Sequence, residues 1–167
     1  HLRNTLKYNG EKCKLLREVE LIIIDEISMV RADIIDFIDK VLRVYSRNMR
    51  EPFGGKQLLL VGDIFQLEPV VKEDERKLLQ PFYPTSFFFD AKIFKEIKLI
   101  CIELNKIYRQ KDSQFINILD KIRLGDVNDY DLKILNSRYK EENHEFKSEK
   151  LVITLSTRRD TVDYINE

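Results

Sequence analysis

Two short aliphatic runs set the frame of this chain. Leu21-Ile22-Ile23-Ile24 stops abruptly at Asp25-Glu26, and Gln57-Leu58-Leu59-Leu60-Val61 stops at Gly62-Asp63. Unbroken apolar runs of this length read as strands buried on both faces, as in a parallel sheet covered by helices. Between them Ile34, Ile35, Ile38, Val41, Leu42 and Tyr45 recur at helical spacing, with Asp36, Asp39, Lys40 and Arg43 in the gaps. That spacing predicts an amphipathic helix capped by Asp33 and followed by a break at Phe53-Gly54-Gly55. Strand, helix, strand in this order is a βαβ unit, whose crossover is almost always right-handed. The expected fold class is α/β, a parallel sheet flanked by helices.

The rest of the chain extends this pattern. Lys14 to Glu20 is a charged lead-in to the first strand. Charges at Lys72–Lys77 predict a short helix or an exposed excursion, Pro81 and Pro84 flank a turn, and a short helix is expected around Ile93 and Phe94. Leu99 to Leu104 reads as a third strand, which makes Cys101 a buried strand residue. Phe115, Ile118, Leu119 and Ile122 predict a helix stopped by Gly125; Leu132, Leu135 and Tyr139 predict another after Asn128. Glu141–Lys150 is polar and reads as a linker, with a fourth strand at Leu151–Leu155 and a helix starting at Thr157. Residues 1–140 are thus expected to form one domain, with a small insertion at about 71–90, and 151–167 to open a second. The chain starts on His1 and stops inside a helical pattern, so it is expected to be an internal piece of a longer protein.

Composition narrows the class without choosing a partner. The 43% hydrophobic and 35% charged content fits a globular chain with a packed core. The 29 basic and 29 acidic residues cancel, so bulk charge does not hold a nucleic acid, although a local groove can hide in a neutral total. Two cysteines, Cys13 and Cys101, make no disulfide framework and suggest a reducing, intracellular setting. No apolar run approaches the length of a membrane span. His144 has no cysteine or histidine partners at zinc spacing and reads as solvated.

Three short segments carry chemistry. A strand has no structural need of two carboxylates at its tip, and ligands of parallel sheets gather at the carboxyl ends of strands. Asp25 there suits a nucleotide-bound magnesium ion, held through water, and Glu26 suits activation of the attacking water; the plain alternative is two acids capping the next helix. In Gly62-Asp63-Ile64-Phe65-Gln66 the glycine permits a tight exit from the strand, and Gln66 can donate to a phosphate and accept from water. A solvent-facing turn is the plain alternative. Arg109, after the expected third strand, can offset transition-state charge on a phosphoryl group, or simply pair with Asp112. All three segments would converge on one edge of one sheet.

Leu-Ile-Ile-Ile-Asp-Glu-Ile-Ser-Met-Val-Arg-Ala-Asp from Leu21 resembles motif II of the Pif-one-type helicases, relatives of RecD. Phe53-Gly-Gly-Lys-Gln-Leu-Leu-Leu-Val-Gly-Asp-Ile-Phe-Gln-Leu-Glu-Pro-Val-Val resembles their motif III, and Glu103-Leu-Asn-Lys-Ile-Tyr-Arg-Gln their motif IV. Ile153-Thr-Leu-Ser-Thr-Arg resembles the opening of their second RecA-like domain. The resemblance implies a RecA-like, partial P-loop NTPase fold and ATP-driven 5′-to-3′ movement on single-stranded DNA, in replication, recombination, repair or telomere maintenance. It implies Asp25 for magnesium, Glu26 for water activation, Gln66 for γ-phosphate sensing and Arg109 for γ-phosphate contact. ATP and Mg²⁺ are the implied cofactors, and single-stranded DNA and duplex junctions the implied partners. The setting would be cytoplasmic in a bacterium, nuclear or mitochondrial in a eukaryote. Thr157 and Arg158 are candidate DNA contacts; Phe82, Tyr83 and Phe87–Phe89 could stack on bases but read first as core.

Two departures stand out. Glu68 precedes Pro69 where the family carries an apolar or small residue, and it either repels phosphate or points outward. A phosphate-binding loop needs Gly, four residues, then Gly-Lys and a hydroxyl. The sole Gly-Lys is Gly55-Lys56, with Gln57 after it and Arg50 in place of the first Gly. The chain by itself is therefore expected neither to bind ATP tightly nor to hydrolyse it. A non-catalytic RecA-like interaction module and a metal-dependent phosphoesterase are the competing readings; the latter wants more convergent carboxylates or histidines.

Overall fold

The computed structural model describes residues 10–139 and 155–166. The chain divides into two compact units, His1–Ile107 and Tyr108–Glu167.

In the first unit, α1 (Gly10–Glu18) leads into β1 (Leu21–Ile24), α2 (Ala32–Ser46) and β2 (Gln57–Leu60). The strands pair in parallel, Leu21 opposite Gln57 through Ile24 opposite Leu60, so the expected βαβ unit is present. The strands are covered on one face only. Ile22, Ile24, Leu58 and Leu60 pack on the core, whereas Ile23 is 59% and Leu59 46% exposed. The apolar run was expected to mean burial on both faces. Among the described residues, α2 covers one face and nothing covers the other.

Ile27, Ala32, Ile35, Leu42, Phe53, Phe88, Ala91 and Ile93 make the buried core around α2. The helix starts after Arg31 with no side-chain cap, so Asp33 does not cap it; Asp33 lies in the first turn and pairs with Arg31 at 2.7 Å. Two acids read as solvent-facing are buried: Asp36 and Asp39 lie on the core side of α2. Asp36 accepts hydrogen bonds from the Tyr83 hydroxyl (2.8 Å) and the Lys92 and Ile93 amides (3.1 and 3.0 Å). Asp39 accepts from the Phe53 amide at 2.7 Å and from Arg43 Nε at 2.8 Å. Buried backbone donors need partners, and these carboxylates provide them for segments that have no ladder.

The turn before β2 depends on a close approach. A Cβ at Gly54 would stand 2.8 Å from the Leu42 carbonyl oxygen, and φ there is +66°. Next in the chain, Lys56 donates to the carbonyls of Arg17 (3.1 Å) and Val19 (2.6 Å), closing the end of α1. That occupation agrees with Gly55-Lys56 not being a phosphate loop.

Residues 71–95 fold back on α2. Helix α3 (Glu73–Leu79) forms where the charged stretch was read, and short 3₁₀ turns span Phe88–Asp90 and Lys92–Lys95. Ala32 donates its amide to the Ser86 carbonyl at 3.0 Å, and Arg31 reaches Glu75 at 3.1 Å. Of the aromatics, Phe88 is core, Phe82 and Phe89 are exposed, and Lys92 Nζ lies 5.1 Å from the ring centres of both Phe82 and Tyr83.

Leu99–Leu104 is not a strand. Ile100 is 87% and Leu104 88% exposed, and Cys101 is exposed too. A strand needs a hydrogen-bonded neighbour, and the described residues give this segment none.

The second unit is built on α4 (Ser113–Leu124) and α5 (Asp129–Asn136). Asp112 caps α4 by accepting from the Gln114 and Phe115 amides, and Gly125 ends it with φ +71°, as the sequence implied. Asn128 caps α5, and the Lys121–Asp131 pair at 3.0 Å joins the two helices over buried Ile118. Helix α6 (Arg159–Asn166) starts two residues later than Thr157. The expected linker 141–150, His144, and 151–154 of the expected fourth strand lie outside the described residues; Leu155 is exposed and not in a strand.

Candidate functional site

The site is built where β1 and β2 end. Beyond the paired residues, the Val61 amide donates to the Ile24 carbonyl at 2.9 Å and the Ile27 amide to the Val61 carbonyl at 3.0 Å. The two exit turns therefore leave from one end of the sheet, joined by backbone. Asp25-Glu26 and Gly62–Gln66 are brought together, as expected.

The first turn is strained in a useful way. Glu26 adopts φ +50°, ψ +45°, a left-handed conformation uncommon for a residue with a side chain. Asp25 Oδ1 accepts the Glu26 amide at 2.9 Å, and Glu26 makes no capping bond to the 3₁₀ turn Ile27–Met29. The plain alternative, two acids capping the next helix, is thus not what the structure shows. Both carboxylates are exposed. Ser28, two residues further along the chain, is 1% exposed and its hydroxyl has no hydrogen-bond partner among the described residues.

The second turn is organised by Asp63. Its carboxylate accepts the Phe65 amide at 3.0 Å, and its carbonyl accepts the Gln66 amide at 3.0 Å. The turn presents Gln66 to solvent. Gly62 makes the junction possible: a Cβ there would sit 2.9 Å from Ile27 N and 3.0 Å from Ile27 Cγ2. Glu68 is exposed and lines a cleft of about 320 Å³ with Arg76, Tyr83 and Phe87, which fits the outward-pointing alternative.

Arg109 belongs to the second unit and follows an irregular segment rather than a strand. It is exposed and has no ion-pair partner among the described residues; Asp112, its expected mate, caps α4. Arg158 is exposed and pairs with Asp160 at 2.5 Å. Sequence reasoning gave Ser28 no role of its own and missed the burial of the two aspartates of α2. Asp36 and Asp39 did leave a signal, since with Ala32, Ile35 and Leu42 they sit at helical core spacing.

The donor set fits a magnesium ion bound with a nucleotide. Asp25 and Glu26 are hard, exposed oxygen donors at a strand end, and no group of three metal-ligating side chains occurs among the described residues. Magnesium suits such a site, because it takes one or two carboxylates and fills its shell with water and phosphate oxygens.

Comparison with known proteins settles the family. The model of the family described as PIF1-like helicase matches residues 3–133. This chain belongs to the PIF1-like helicase family. It is 37% identical to the human ATP-dependent DNA helicase PIF1 over 147 residues, covering 87% of this chain and 21% of that protein. Its fold is the RecA-like fold of these helicases. Bacteroides Pif1 bound to single-stranded DNA superposes with a TM-score of 0.89 at 42% identity, over 96% of this chain and 37% of that one. Bacteroides Pif1 in complex with ADP-AlF3 and single-stranded DNA superposes with a TM-score of 0.86 at the same identity and coverage. The chain thus spans about a fifth of the human relative and a little over a third of the bacterial one.

Proposed function

We propose that this chain supplies part of the ATP-hydrolysing machinery of a DNA helicase that moves 5′ to 3′ on single-stranded DNA. The observation that carries the reading is the backbone-locked pair of exit turns, which puts Asp25, Glu26 and Gln66 at one end of one parallel sheet. Relatives of known structure hold ADP-AlF3 and single-stranded DNA, and another bears on unwinding at forked duplex DNA, which supports ATP as the nucleotide and single strands and duplex junctions as partners; Mg²⁺ is proposed from the Asp25-Glu26 oxygen donors.

In this reading Asp25 would hold the cation, and Glu26 takes or orients a proton of the attacking water. Gln66 bridges that water and the terminal phosphate. Arg109 offsets the charge that develops as the phosphoryl group transfers. A magnesium ion held at Asp25 would supply neutralisation of phosphate charge. Residues 1–140 belong to a first RecA-like domain carrying a small insertion at about 71–90, and 151–167 open the second, where Thr157 and Arg158 are offered to DNA.

The test is Glu26→Gln in a longer protein that contains this chain and a phosphate-binding loop. ATP affinity should persist while turnover falls by a factor on the order of 10²–10⁴, the usual worth of a general base. A mutant as active as its parent removes Glu26 from the reaction.

A further inference from the structure

We propose that Gly62 is a positioning residue for the hydrolysis step: lacking a side chain, it lets the β2 exit lie against the Glu26–Ile27 peptide and so fixes Glu26 relative to Gln66. This rests on the function proposed above and assigns that site a residue beyond its carboxylates, glutamine and arginine.

The contact is backbone on backbone. A methyl at Gly62 would come 2.9 Å from Ile27 N and 3.5 Å from the Glu26 carbonyl carbon, with Ile27 Cγ2 at 3.0 Å. Real Cβ atoms do not approach a backbone nitrogen that closely, and no flexible side-chain end is available to yield. Ile27 cannot retreat easily, because it is core and its amide is bound to the Val61 carbonyl, immediately before Gly62. Any substitution must therefore push one of two peptides. One carries Glu26, whose direction is set by its left-handed backbone, since its side chain makes no capping bond to the turn that follows. The other begins the turn in which the Asp63 carbonyl holds the Gln66 amide at 3.0 Å. Either displacement changes the spacing between the group that activates water and the group that senses phosphate. Neither shift removes a group that would bind ATP. The effect should therefore fall on turnover rather than affinity.

Gly62→Ala is made in the longer protein and compared with the parent and with Glu26→Gln. The readouts are kcat, KM for ATP, and the affinity of a non-hydrolysable ATP analogue. The expected result is a kcat lower by a factor on the order of 10², with analogue affinity changed by no more than about threefold, as a misplacement of about 1 Å would give. A merely structural role would lower thermal stability and leave the kcat of the folded protein in place. Retained kcat in Gly62→Ala beside a dead Glu26→Gln overturns the Gly62 assignment alone; full activity of Glu26→Gln overturns the underlying function, and this assignment with it. If Gly62→Ala does not fold, hydrogen exchange of the unmutated protein decides. The analogue should slow exchange in residues 25–28 and 61–66 together, and protection of one segment without the other overturns the coupling.

Discussion

The Ile27 amide donates to the Val61 carbonyl at 3.0 Å, beyond the last paired residues of β1 and β2. That bond makes two turns, read separately in the sequence, into one structural object. Asp25 and Glu26 immediately precede its donor in the chain, and the Asp63–Gln66 turn follows its acceptor.

The turns alone do not make a complete ATPase. The sequence holds no Gly-x₄-Gly-Lys-Ser/Thr, and its single Gly-Lys spends the lysine on the end of α1. Without backbone donors to cradle the phosphates, this chain by itself should release no phosphate from Mg-ATP above background. A phosphate-release assay on the purified chain checks this. Sustained turnover that disappears in Glu26→Gln would show that the cradle is dispensable.

Asp36 should matter more to stability than a helix-surface aspartate does. It accepts three hydrogen bonds, two of them from backbone amides of a segment without a ladder. Asp36→Ala leaves those donors unpaired at a buried place and should cost about 3 kcal/mol, with Asp36→Asn costing roughly half as much. Equilibrium urea unfolding of the chain measures both. A cost near that of an exposed substitution would mean that water replaces the carboxylate.

Arg31 gives the first unit a defined acid sensitivity. Its guanidinium, beside Asp33 and Glu75, holds both carboxyls below their ordinary values of 3.8 and 4.5. Each acid therefore binds protons less readily folded than unfolded. Their contribution is fully present above pH 4.5 and is lost as the pH falls through the depressed folded values. Stability of the native chain should decline on acidification below about pH 4.5, and Arg31→Ala should flatten that decline. Urea midpoints across this range test the slope, and an unchanged slope in the mutant would exclude the pairing.

Helix α5 should depend on its cap. Asn128 accepts the Asp131 amide at 3.0 Å, and Asp131 returns the bond by accepting the Asn128 amide at 3.2 Å. Asn128→Ala should destabilise the second unit by about 1 kcal/mol, and Asn128→Asp by much less. Amide exchange at the start of the helix reads the effect locally.

What the sequence revealed, and what it hid, follows from the range of the forces involved. Helix α2 was legible because local apolar spacing and tertiary burial agree there; strands β1 and β2 were legible from their aliphatic runs, although only alternate residues meet the core. The Gly125 stop and the Asn128 start were legible because capping is local chemistry. Leu99–Leu104 has the composition of a strand, yet strand formation depends on a neighbouring ladder that composition cannot report. Asp36 and Asp39 were misjudged because charge suggested solvent, although their spacing belonged to the buried stripe. At the site, the placement of Asp25, Glu26 and Gln66 just beyond strand ends was readable from the apolar runs, while the role of Gln66 comes from the motif resemblance. Arg109 rests on the motif resemblance alone, since no strand precedes it.

The most direct test is a structure of the longer protein with magnesium and an ADP-aluminium fluoride mimic of the transferring phosphate. Asp25 should face the metal through water, Glu26 and Gln66 should flank the attacking water, and the Arg109 guanidinium should touch the fluoride group. A mimic bound with the Asp25-Glu26 and Gln66 turns both out of its reach would contradict the account.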